Sequence, residues 1–211
     1  MPFQKIAVLG AGNVGAALAR IWSQAGHSVS IGVPDPSSES GKKAQKSIPG
    51  VRVVTNREAA AEASVIALCV PWPALDQAIK EAGDLKGKIV IDCVNPLKDL
   101  SALAIGTNTS AAEQIAQQVP GAKVVKAFNT IGAACYGNAQ FGSERASGLY
   151  CGDDAEAKAA VRGLIEDVGL DPADVGPLKN ARSLEAIAML WIDLAINQQQ
   201  GPNHAFRLLR R

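Results

Sequence analysis

The stretch AVLGAGNVG, residues 7–15, decides the fold. The apolar run 5–9 reads as a strand, and a glycine turn follows at once. Residues 13–25 then place Leu18, Ile21 and Trp22 at helical spacing. Each glycine of the GxGxxG has its own task. Gly10 permits the tight turn, Gly12 lets the main chain approach a pyrophosphate, and Gly15 lets the helix lie against the strand. The amides of Gly12, Asn13 and Val14 then face the phosphates, helped by the helix dipole. GxGxxG alone is a weak signal, but here it stands between a strand and a helix. That order makes Gly10, Ala11, Gly12, Asn13 and Val14 the expected cofactor-binding turn.

Outward from this turn, β-branched runs alternate with alanine-rich helical stretches. Strands are expected over 28–31, 51–54, 64–70, 88–94 and 123–128. Helices are expected over 41–47, 56–63 with Asn56 as N-cap, 74–82 and 110–118. The run 64–70 is nearly all apolar, as suits a parallel strand covered on both faces. The alternation predicts an α/β chain: a Rossmann-type doubly wound parallel sheet with right-handed crossovers over residues 1–147. A small α+β C-terminal part, 148–211, is expected to pack on it, with a strand at 149–151 and helices at 155–168 and 183–197. Ligands of such sheets bind at the carboxyl ends of the strands, which singles out the loops 10–14, 70–72, 95–96 and 129–132.

Composition narrows the function classes. The 211 residues carry a formal charge of +1 and no long basic run, which argues against nucleic acid as a partner. Arg207, Arg210 and Arg211 read as a solvated tail. The longest apolar stretch, 185–196, is broken by Asp193 and is too short to span a membrane. A strand that starts so near Met1 leaves no room for a signal peptide. Cys69, Cys93, Cys135 and Cys151 form no CxxC pair, and buried reduced thiols in a cytoplasmic protein are the expected reading. Asp153 and Asp154 suit the cap of the helix that follows better than a metal site, and no metal is expected.

The choice of dinucleotide turns on the second strand. It ends in Ile31-Gly32-Val33, without the acid that an NAD site usually places there. Asp35 comes two residues later, between two prolines. Ser37 and Ser38, with Lys42 or Lys43, suit a 2′-phosphate, and a solvated helix start is the other reading of the same residues. NADP is favoured, with NAD open.

The segments AVLGAGNVG (7–15), VPWPAL (70–75), IDCVNPL (91–97), VVKAFNT (124–130), CGDDAEAK (151–158) and DVGPLKNARSLE (174–185) occur in that order. In this order the chain resembles the NADPH-dependent reductases of the deazaflavin coenzyme F420. It is also similar to the cytosolic oxidoreductase domain of the STEAP ferric reductases. The likeness covers nearly the whole chain. It implies an NADP-dependent oxidoreductase that moves a hydride between nicotinamide C4 and N5 of a flavin-like acceptor. It also implies that Val70 and Pro71 pass beside the adenosine half, with Val33 and Ser37 at the end of the second strand. Asn95 and Pro96 would approach the nicotinamide ribose, and Phe128, Asn129 and Thr130 the reacting rings. Strand termination at Val70-Pro71 and core packing at Phe128 are the bland readings of those residues. The F420 reductases carry Ser-Arg-Arg where this chain has Val33-Pro34-Asp35, so selectivity for NADP falls to Ser37, Ser38 and the nearby lysines or is absent. KAFNT looks closer to the STEAP branch, which keeps FMN and FAD beside F420 as co-substrates.

No catalytic acid or base stands out. His27 lies at the wrong edge of the sheet and His204 in the tail, which fits hydride transfer to a ring nitrogen, where positioning carries the rate. Lys126 is the only donor in VVKAFNT for a ketone reduction, and a structural contact at a strand end is its other reading. The last helix presents Leu184, Ile187, Met189, Leu190, Trp191 and Leu194 on one apolar face, read as core or as a face shared in a homodimer. A reductase of a small imine or carbonyl and a non-catalytic NADP(H)-binding sensor are the competing functions.

Overall fold

A computed structural model describes residues 3–48 and 50–211. Its first half repeats strand and helix: β1 (Lys5–Leu9), α1 (Asn13–Gln24), β2 (Ser28–Val33), α2 (Glu39–Ser47), β3 (Arg52–Thr55), α3 (Asn56–Glu62), β4 (Val65–Leu68), α4 (Leu75–Ala82) and β5 (Ile89–Asp92). A small antiparallel ribbon, β6 (Leu97–Asp99) with β7 (Ala102–Leu103), precedes α5 (Ala111–Gln118) and β8 (Lys123–Lys126). A second ribbon, β9 (Gln140–Phe141) with β10 (Glu144–Arg145), leads into β11 (Ser147–Gly152), α6 (Ala155–Asp167), β12 (Asp171–Asp174) and α7 (Ala181–Ile192). Among the described residues no helix is long and apolar enough to cross a membrane.

The sheet has eight strands in the order β12-β11-β8-β5-β4-β1-β2-β3. From β3 to β8 every neighbouring pair is parallel. Consecutive residues of β1 serve opposite faces: Ile6 and Val8 enter a core with Leu18 and Trp22 of α1, while Ala7 and Leu9 enter a second core with α3, α4 and α5. The order reverses between β1 and β4, each on one side of the glycine turn, so the turn lies at the topological switch point. Amide bonds from Gly10 to Gly32 O, Cys69 to Leu9 O, Cys93 to Leu68 O and Ala127 to Asp92 O align the carboxyl ends in one row.

Several sequence expectations change here. The boundary expected between 147 and 148 runs through β11, so the C-terminal part supplies two strands of the sheet itself. β11 pairs antiparallel to β8 and parallel to β12. β12, the stretch Asp171-Pro172-Ala173-Asp174, has no β-propensity and was not expected. Asn56 does not cap α3. Thr55 does, in a capping box with Glu58, because its hydroxyl accepts the Glu58 amide while Glu58 reaches back to the Thr55 amide. The helix expected over 183–197 starts at Ala181 and changes to a π-helical turn over Asp193–Asn197.

Candidate functional site

The glycine turn is built by contact. Gly10 has φ +107, and a Cβ there would stand 2.5 Å from Cys69 O. A Cβ on Gly15 would stand 2.1 Å from Gly10 O, so α1 packs on the turn at backbone distance. Gly12 has nothing within 4 Å of where its Cβ would be, and it opens outward. It is also the N-cap of α1, with no side-chain cap and no acidic residue in the first turn. By contrast, Ser38, Thr55, Ser110 and Asp154 cap α2, α3, α5 and α6 with side-chain oxygens. The first bond inside α1 is from Ala16 to Gly12 O, 2.8 Å, and it leaves the preceding amides to an outside acceptor. An open backbone and an uncapped, acid-free helix start fit a diphosphate.

At the end of β2 the acid question resolves locally. Ser37 donates to Asp35 Oδ1 from both its amide, 2.8 Å, and its hydroxyl, 2.7 Å. Ser38 Oγ donates to Asp35 O and accepts the Gly41 amide as cap of α2. The bonds from Ser37 hold the Asp35 carboxyl below the usual range, so it is anionic at neutral pH. The Ser37 hydroxyl expected on a phosphate is thus committed to Asp35. Lys42 and Lys43 of α2 are exposed beside this loop, and Val33 is buried in the core.

From the start of α1 a cleft of about 760 Å³ runs across the strand ends. Asn13, Ala16, Ala17 and Arg20 of α1 form one wall, Cys93, Asn95, Phe128 and Asn129 line the strand ends, and Gly132, Trp191, Ile192 and Pro202 close the far side. Of the expected residues, Asn13, Val14, Asn95, Phe128 and Asn129 meet here. Gly10, Ala11 and Gly12 border it through the turn, and Val70 packs against Gly10. Pro71 is exposed before a 3₁₀ turn, while Pro96 and Thr130 are buried and do not line the cleft.

Phe128 is the strained member, with φ +64 in the region that bulky residues avoid. Such a conformation costs about 1–3 kcal/mol and persists only where the surroundings enforce it. Trp22 and Tyr136 meet its ring edge-on, with centroids 5.6 and 6.2 Å away, and Tyr136 Oη donates to Phe128 O at 2.8 Å. Next to it, Asn129 Nδ2 donates to Asn95 Oδ1, 3.0 Å, and Leu184 O, while Asn95 Nδ2 donates to Asn129 O. Asn129 Oδ1 is buried without a partner.

Beneath the cleft three of the quoted segments converge. Lys126 Nζ, with no exposure, donates to Asp92 Oδ2 at 2.8 Å, Glu185 Oε1 at 3.0 Å and Val94 O. Burial pushes its amine down, and the two carboxylates more than reverse this, keeping it charged. Glu185 also accepts the Ala111 amide at the start of α5, 2.9 and 3.2 Å; burial raises its carboxyl and Lys126 opposes that rise. Lys126 is therefore a structural cation sealed from the cleft, one of the two roles its position allowed.

The remaining titratable candidates are structural too. His27 Nδ1 accepts the Gln4 amide and Nε2 meets Asp167 at 3.0 Å, at the amino edge of the sheet. Asp154 caps α6 through the Ala157 amide, and Asp153 accepts the Leu178 amide. All four cysteines are free; burial pushes the Cys151 thiol up to about 12, and a hydrogen bond of the Cys93 thiol with Cys69, together with burial, raises Cys93. Sequence reasoning missed Arg20, Cys93, Trp191 and Pro202. The spacing 13, 16/17, 20 on α1 could have shown Arg20, whereas Trp191 and Pro202 arrive by tertiary folding alone. Trp191 packs on Gly132, where a Cβ would stand 2.7 Å from its ring, and its Nε1 donates to His204 O.

Comparison with known proteins places this geometry among relatives. The family model described as NADP oxidoreductase, coenzyme F420-dependent, matches residues 5–96. The crystal structure of a protein described as an F420-dependent NADP-reductase, from Arthrobacter sp. FB24, is 32% identical and superposes with a TM-score of 0.89 over 98% of this chain and 100% of that one. Metalloreductase STEAP3 of Rattus norvegicus is 33% identical over 187 residues, covering 88% of this chain but 36% of STEAP3, so the chain corresponds to only part of that relative. A reductive aminase of Aspergillus terreus in complex with NADPH, 20% identical, shares the Rossmann-like fold with a TM-score of 0.66 over 94% of this chain and 64% of the aminase.

Proposed function

This chain belongs to the family of coenzyme F420-dependent NADP oxidoreductases, and from that premise we propose that it transfers hydride between NADP(H) and a flavin-like acceptor, F420, FMN or FAD. One observation carries the reading. Among the described residues, the cleft that starts at the open end of α1 is lined by no Asp, Glu, His, Lys or Tyr. Proton relays need such groups. A hydride passing from nicotinamide C4 to position 5 of a tricyclic ring, nitrogen in a flavin and carbon in the deazaflavin, needs alignment instead, with the accompanying proton taken from water. The bound nucleotide supplies the hydride; the protein supplies its alignment.

In this reading the first amides of α1 hold the diphosphate, and Phe128, fixed by Trp22 and Tyr136, sets the floor on which the rings stack. Asn129, itself tied to Asn95 and Leu184 O, turns an unpartnered acceptor toward the amide-bearing end of the nucleotide. Lys42 and Lys43 carry the 2′-phosphate, against the Asp35 carboxylate; kcat/KM for NADPH over NADH measures that balance. Reduction of a small imine or carbonyl is disfavoured, because its one donor in VVKAFNT, Lys126, has no exposure and three partners.

The test is NADPH oxidation with F420, FMN, FAD, a ferric chelate and a cyclic imine in parallel. Turnover with a flavin-like ring is expected. Turnover with the imine alone overturns the proposal, as does tight nucleotide binding with no acceptor reduced, which would mark a sensor.

A further inference from the structure

The cleft carries a single formal charge. Arg20 is the only one of its lining residues, among those described, with an ionisable side chain other than the Cys93 thiol. It makes no ion pair or hydrogen bond among the described residues, unlike Arg52, Arg162, Arg182 and Arg207, each of which meets a carboxylate. Its place on α1 is specific. Asn13, Ala16, Ala17 and Arg20 follow one face of the helix, so two turns, about 10 Å of rise, separate the guanidinium's residue from the diphosphate end. The alanines between leave that wall low and apolar. A flat ring can therefore lie along it, with its polar tail beyond.

Resting on the proposed hydride transfer, we infer that Arg20 is the specificity-determining residue for the acceptor and receives a phosphate on the acceptor's side chain. An unpaired guanidinium at the rim of a cleft with no other charge attracts an anion and can bind a phosphate bidentately. The nucleotide's own phosphates are served elsewhere in this reading, by the amides at the start of α1 and by Lys42 and Lys43 of α2. The diphosphate end and Arg20 thus assign the two anionic parts of a two-ligand complex to opposite ends of one helix wall.

The experiment compares ligands that share a ring and differ in the phosphate: FMN against riboflavin, and F420 against its dephosphorylated deazaflavin. Binding to the protein loaded with NADP⁺ is read from ring fluorescence, and NADPH-dependent reduction is read alongside. The wild type is expected to bind the phosphorylated member of a pair at least about tenfold more tightly, the scale of one charge-assisted bond. Arg20→Gln brings that ratio toward one, Arg20→Glu inverts it, and Arg20→Lys recovers part of it, while affinity for NADP⁺ stays within about twofold of wild type. Equal binding of both members by the wild type overturns the inference, as does an Arg20→Gln protein that keeps the ratio, or a chain that binds neither ring. If the Arg20-dependent ratio holds but no acceptor is reduced, the anion site stands and the hydride-transfer reading falls.

Discussion

Two helix starts in this molecule receive opposite treatment. At α5 the chain supplies its own anion: Ser110 caps the helix, and the buried Glu185 carboxylate accepts the Ala111 amide at 2.9 Å. At α1 the N-cap is Gly12, no side chain caps it, and no acid occupies the first turn. Both ends have the same orphan amides and the same dipole. One is neutralised from within and sealed; the other is left open where a cleft begins. The contrast teaches that a binding helix is recognised by glycine turn and missing cap together, since α4 and α7 also lack a side-chain cap but follow no such turn.

The comparison can be broken from either side. The largest effect is expected at the sealed end. Lys126→Met strands Asp92 and Glu185 as buried carboxylates and should cost about 3–5 kcal/mol in urea unfolding. A cost below about 1 kcal/mol would mean that the cluster beneath α5 is not held by charge. At the open end, Gly12→Asp gives α1 the cap that α6 has. The side chain has free space there, and the backbone is already extended. Stability should rise by a few tenths of a kcal/mol. NADP(H) affinity should fall on the order of 100-fold in calorimetric titration, because a carboxylate now faces the diphosphate. Unchanged affinity would show that the nucleotide does not use this turn.

A smaller effect is expected from uncapping the counterpart helix. Asp154→Ala frees the Ala157 amide and should lower Tm by a few degrees with kcat/KM unaltered; a matching loss of activity would tie α6 to the site. The smallest is a pH effect at α5. Arg182 holds the Glu113 carboxyl below its ordinary value of 4.5, so the pair stabilises the fold above that pH and loses its contribution as the pH falls through the lowered value. Glu113→Gln should therefore flatten the acid limb of a stability–pH curve and leave the neutral plateau's slope alone; an identical acid limb would refute the pairing.

Most of the doubly wound sheet was legible because its signals are local. β1 and the start of α1 fall where the apolar run and the glycines put them, since strand, turn and helix each follow from adjacent residues. Other strands came out shorter or shifted by a residue or two, as with β4, where an apolar run continues past the last ladder bond into Cys69 and Val70. Part of the cleft could be read from the quoted segments: Asn13 and Val14 follow the glycine turn, and Asn95, Phe128 and Asn129 follow strand ends. Trp191 and Pro202 could not, because Trp191 sits in the last turn of α7 and Pro202 beyond it, and both meet Gly132 only through packing of the C-terminal stretch. Ser37 shows a different failure. Its type suits a phosphate, but its neighbour two residues back takes its hydroxyl, and composition cannot rank a local acceptor against an absent one.

The four residues of β12 escaped a propensity reading because they are Asp171, Pro172, Ala173 and Asp174, and β12 is the last strand of the sheet. Their composition has a second effect. Pro172 offers no amide to a newcomer, and two carboxylates line the same short border. A neighbouring molecule therefore finds little there on which to extend the ladder, and a polar, proline-bearing rim discourages edge-to-edge aggregation.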